Sequence, residues 1–154
     1  MSGKRKEDYK AVFKAVRAEI DDLRLREAVM NFKAAMWAGL RAVLPDTRIK
    51  GCLFHWVQAV WRHIQAIGLQ EAYNKDRGTH SYLRKLMALP FLPQEHMLQI
   101  FLRLSSQAVG DKPTRMCTYV HDTWISSSTW PPVAWSVFQQ QVRTNNDVKG
   151  GIIR

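Results

Sequence analysis

The chain has 154 residues, 46% of them hydrophobic, which is enough for one domain with its own core and too apolar for a disordered chain. Lysine and arginine outnumber aspartate and glutamate by 23 to 13, a formal net charge of +10, and such an excess points to a polyanion partner, of which nucleic acid is the commonest. Two cysteines are too few for a disulfide framework, and no apolar run is long enough to span a membrane, so the expectation is an intracellular protein, with the nucleus among its compartments and no membrane partner.

After the basic triplet Lys4-Arg5-Lys6, the residues Tyr9, Val12, Phe13, Val16, Ile20 and Leu23 recur at helical spacing, which predicts an amphipathic helix over about 7–24. The short apolar run from Arg26 to Phe32 fits a buried strand or a continued helix; we take it as a strand. Ala34, Ala35, Trp37, Leu40 and Val43 make a helix that stops before Pro45. A Pro45-Asp46 turn enters a second strand, 48–54, and this strand runs directly into a helix carrying Val57, Val60, Trp61, Ile64 and Ile67, with Arg62 and Gln65 outward and Gly68 at its end. Alternation of helix and strand over the first 70 or so residues favours an α/β class.

Beyond Tyr73 the pattern turns helical. Leu83, Leu86 and Met87 form one helix closed by Pro90, and Pro93 opens another with Met97, Ile100, Phe101 and Leu104. Residues 115–125 are a third, between breaks at 110–113 and 126–128. Trp130-Pro131-Pro132 turns the chain into a last helix with Trp135, Phe138 and Val142. The resulting organisation is an α/β part at 1–72, a helical block at 73–134 and a terminal piece at 135–154.

Cys52 and His55 sit at the strand-to-helix junction, where sites in α/β sheets are commonly built. A buried thiol and a core histidine are the plainer reading. The pair supplies half a zinc ligand set, and Cys117-x-x-x-His121 would supply the other half if the helical block folds back on the junction. Arg62, Arg84, Lys85 and Arg143 are the candidates for sequence-independent, salt-sensitive phosphate contacts. Six tryptophans, with Trp124, Trp130 and Trp135 close together, fit either a core or an exposed aromatic surface for protein interaction or oligomerisation.

Met30-Asn31-Phe32-Lys33-Ala34-Ala35-Met36, then Pro45, then Gly51-Cys52-Leu53-Phe54-His55 resembles the strand end, helix and Cys-x-x-His of Mutator-like element (MULE) transposases. Lys85-Leu86-Met87-Ala88-Leu89-Pro90-Phe91-Leu92-Pro93 and Trp135-Ser136-Val137-Phe138 with Arg143-Thr144-Asn145-Asn146-Asp147-Val148 extend the resemblance along the chain. It implies a partial ribonuclease-H-like α/β domain with few strands and a helical insertion. It also implies, in the intact family, three carboxylates holding magnesium for phosphoryl transfer. Here Asn31 stands at the position resembling the second catalytic aspartate, Lys149 at that resembling the final glutamate, and Lys33 where the strand end often carries glutamate. The first aspartate would lie before Met1, and 151–153 do not continue the family pattern. The expectation is therefore a truncated, catalytically inactive transposase-derived domain, with no resident cofactor and residual DNA contact. Activity of the DDE type would require acidic residues from another chain.

Overall fold

A computed structural model describes residues 3–20 and 24–144. Helix α1 (Lys6–Glu19), strand β1 (Glu27–Met30), helix α2 (Ala34–Val43), strand β2 (Arg48–Gly51) and helix α3 (Leu53–Ala66) follow one another in the expected order. The two strands pair in parallel, with Glu27 opposite Arg48 and Met30 opposite Gly51, and α2 is the crossover between them. Outside the strands the pairing is extended by Arg48 N–H donating to Arg26 O (2.9 Å) and Cys52 N–H donating to Met30 O (2.8 Å). The described chain is thus mostly helical with one parallel strand pair, an arrangement compatible with the α/β class.

Helix α2 turns Trp37, Leu40 and Val43 inward. Its other side carries α1, which comes so close that a Cβ on Gly39 would stand 2.9 Å from Tyr9 Cβ. Arg17 Nη1 donates to Val43 O (2.9 Å), satisfying a carbonyl at the end of α2. No residue of α1 is buried, and Val12, Val16 and Ile20 stay exposed, so the stripe expected to be covered is covered only in part.

Helix α3 is the axis of the core, since Trp56, Val60 and Ile64 are wholly inaccessible. Around it lie α4 (Gln70–Lys75), α5 (Arg77–Met87), a short 3₁₀ turn (Leu89–Phe91), α6 (Gln94–Ser106), α7 (Asp111–Val120) and α8 (Pro132–Trp135). Gly68 ends α3 with a φ of 76°, as its position predicts. One hydrophobic cluster runs from Met30 through Leu86, Phe101 and Val120 to Trp135, so the segments expected at 1–72, 73–134 and 135–154 share a core across their described residues.

Two expected helices differ. The third helix of the block starts earlier, at Asp111, because Gly110 caps it and Pro113 occupies the first turn, where no N–H is needed. It then widens into a π-turn, His121–Ile125, closed by Ser126 N–H donating to His121 O (2.9 Å). Through this turn Trp124 and Ile125 both end up buried. The last expected helix, with Trp135, Phe138 and Val142 on one face, is corrected: α8 ends at Trp135. Ser136 Oγ donates to Leu92 O (2.8 Å) and Val137 N–H to Pro90 O (2.7 Å). These bonds to the 3₁₀ segment take the place of a helix ladder and leave Phe138 and Val142 exposed.

Gly51 is required by close approach. A Cβ there would run into the Phe32 ring, and that ring cannot swing away because Trp124 and Trp130 meet it edge-on at centroid distances of 4.8 and 5.2 Å. Gly51→Ala is expected to lower stability by about 1–3 kcal/mol, the usual range for overpacking, read as a drop in the urea midpoint at unchanged slope.

Candidate functional site

The strand register decides what meets at the junction. Met30 and Gly51 end their strands side by side, so Asn31 and Cys52, the next residues, leave the sheet at the same level. Cys52 is the residue preceding α3 and is fully buried, while His55 lies in the first turn of that helix, its ring edge-on to Phe54 at 5.4 Å. The Asn31 carbonyl accepts from Lys33 N–H (2.9 Å) and from the Trp37 indole N–H (2.8 Å), which ties the strand end to the start of α2. From the far end of the chain, the Arg143 carbonyl accepts the Leu53 N–H (2.9 Å), one of the donors left over at the start of α3. Asn31, Cys52, His55 and the approach to residue 144 are therefore brought to one edge. Lys149 lies outside the described residues.

The donors at that edge are an amide, a thiol and an imidazole, with the Lys33 ammonium exposed beside them. Magnesium takes carboxylate, carbonyl and water oxygens, and these side chains do not fit a magnesium pair. Among the described residues no group of three or more His, Cys, Asp or Glu is arranged to hold a metal. Cys52 and His55 are thus not joined by Cys117 and His121 into a four-ligand set. The reason is local. The Cys117 thiol is 3.0 Å from the Tyr82 hydroxyl, which also donates to Leu104 O (2.9 Å), and His121 Nδ1 faces Asp122 Oδ1 at 2.8 Å on the surface.

The four basic candidates are all exposed, but they do not form one patch. Arg84 borders a groove floored by Val57, Trp61, Tyr73 and Met87 and closed by Phe91, and the Arg143 guanidinium lies over the Phe91 ring at 5.6 Å. These two share a rim. Arg62 and Lys85 line no part of that groove.

A cationic cluster of a different kind went unnoticed in the sequence. Arg41, Arg48 and Lys50 line a cavity of about 350 Å³ between α2, β2 and the segment before α8. Burial pulls the Lys50 ammonium below the ordinary lysine range, Glu27 opposes this and Arg48 adds to it. The alternation expected of a half-buried strand hid the cluster, because charged residues in a strand read as its solvent face.

Trp124 and Trp135 are buried and Trp130 is half-buried, and the Trp135 indole N–H donates to Trp130 O at 3.1 Å. The tryptophans weighed as an exposed interaction surface are core residues instead. No helix among the described residues is long and apolar enough to cross a membrane. Compared with known proteins, the sequence matches no family model, no curated protein and no solved structure.

Burial, followed by the contact with Cys117, pushes the Tyr82 phenol above its ordinary value of 10.0. A raised phenol pKa means that the folded state holds its proton longer than the unfolded chain does. Stability from this group is complete below about pH 10 and declines as pH rises past it. Thermal melts above pH 10 are expected to show that decline, and Tyr82→Phe is expected to show less of it, with Tyr119, also raised by burial, contributing the remainder.

Proposed function

We propose that the chain is a ribonuclease-H-like, transposase-derived domain of MULE type that has lost phosphoryl transfer and retains sequence-independent contact with DNA. The observation that carries this reading is the meeting of Asn31, Cys52 and His55 at the carboxyl ends of two parallel strands, with the Arg143 segment hydrogen-bonded to the same helix start. The resemblance would place a catalytic site at that edge, and the side chains there cannot supply its anions. The basic excess of 23 over 13 supports the remaining contact with phosphates.

With purified protein, magnesium or manganese is expected to give no nicking or strand transfer above a metal-free control, and clear turnover would overturn the loss of catalysis. Fluorescence anisotropy with unrelated duplexes is expected to give similar affinities for each, falling linearly in log–log form with salt. Affinity indifferent to salt would overturn the phosphate-contact reading.

A second reading is favoured by α1. Val12 and Val16 on α1, and Ile20 just past its end, are 57%, 45% and 45% exposed, and no residue of the helix is fully buried, which suits an interaction or oligomerisation surface. Light scattering across a concentration series separates the two: a mass that rises with concentration and reverts to monomer in Val12→Lys/Val16→Lys supports this surface.

A further inference from the structure

The cavity between α2 and β2 is lined by three cations from two neighbouring elements. Arg41 comes from the last turn of α2, and its guanidinium is held over the Trp37 ring at 5.5 Å. Arg48 and Lys50 come from β2, two residues apart. Ser128 and Thr129 line the other wall, neither hydroxyl being engaged in a hydrogen bond among the described residues. Among the described residues no carboxylate lines the cavity. The nearest compensation is Glu27, whose Oε2 is 3.9 Å from Arg48 Nη1 with the arginine side chain still 70% exposed.

Lys50 is fixed by donating to the Val133 carbonyl, which leaves its other two ammonium hydrogens for a ligand. Gathering three like charges costs Coulomb energy; Glu27 offsets part of it at Arg48 and Lys50, and an anion among the three would offset the rest. The volume, about 350 Å³, is near the lower end of the range of about 300–1,000 Å³ for ligand pockets. Hydroxyls beside guanidinium and ammonium donors match the oxygens of a tetrahedral oxyanion.

We infer that this cavity is a receptor for one phosphate group, held by Arg41, Arg48 and Lys50 with Ser128 and Thr129 as neutral donors. Where the phosphate belongs to a nucleic-acid backbone, the inference rests on the DNA contact proposed above and names its anchoring point. A small phosphate-bearing molecule would use the same donors.

The test compares wild type with Arg41→Gln and Lys50→Gln, using Arg103→Gln, an exposed position on α6, as a control of equal charge change. Arg41 is itself exposed, so its variant keeps the fold even if a substitution at half-buried Lys50 does not, and circular dichroism checks both. In anisotropy with a labelled duplex, each pocket variant is expected to weaken binding by about tenfold and to reduce the salt slope by about one phosphate, while Arg103→Gln changes affinity less than about twofold. If the duplex binds but the pocket variants behave like Arg103→Gln, the receptor is overturned and the DNA reading stands. If wild type binds no duplex, the DNA reading fails, and inorganic pyrophosphate titrated against the arginine and lysine side-chain NMR signals decides the cavity. A saturable shift lost in Arg41→Gln establishes it for small phosphates, and its absence in wild type overturns it.

Discussion

The pairing of Met30 with Gly51 is the constraint from which the rest of the structure follows. In a parallel pair both chains run the same way, so ending the two strands at one level delivers both following segments to the same edge. Helix α2 leaves from one and α3 from the other. Because Gly51 has no side chain, the Phe32 ring can lie against the end of β2, and from there it meets Trp124 and Trp130 edge-on. A two-stranded sheet is marginal by itself. Here it is held by helices packed through an aromatic cluster that begins at its own end.

That cluster shows how the core accommodates polar atoms. The indole N–H groups of Trp37, Trp124 and Trp135 reach Asn31 O, the Tyr119 hydroxyl and Trp130 O. Trp56 Nε1, by contrast, is buried without a hydrogen-bond partner among the described residues. Leaving such a donor unmade costs about 1–3 kcal/mol, and an indole buried whole recovers a comparable amount through its apolar surface. Trp56 stacks on Trp135 at 5.1 Å and 18°, so its position is set by shape, and the N–H is a tolerated consequence.

What could be read from the sequence divides along local and non-local lines. Helices α2, α3 and α6 announced themselves because their apolar residues repeat at helical spacing and their ends carry proline or glycine. The short helix α4 gave little periodic signal, its inward residues being only Ala72 and Tyr73. The π-turn after Val120 and the early end of α8 depend on partners distant in sequence, Leu92 and Pro90 in the second case, and no window of neighbouring residues contains them. The site followed the same rule. Cys52 and His55 were visible through their spacing, whereas the cavity needs Arg41 and Thr129, 88 positions apart in sequence, to line one space.

The charges around β2 explain why the two candidate sites point to opposite ligands. Arg48 and Lys50 lie on β2, which ends one residue before Cys52, and Lys33 stands at the start of α2 beside Asn31. Each raises the potential at the strand ends, and carboxylates would be needed to bring it down before a divalent cation could bind. Glu27 does so in part at Arg48 and Lys50, but among the described residues no group of three or more potential metal ligands gathers at the strand ends. A positive field of this kind suits an oxyanion better than a divalent cation, which is the premise of the phosphate receptor inferred for the neighbouring cavity, lined by Arg41, Arg48 and Lys50. On the proposed transposase-derived reading, replacement of a carboxylate by Asn31 would leave these cations facing an anion with no further change in the chain.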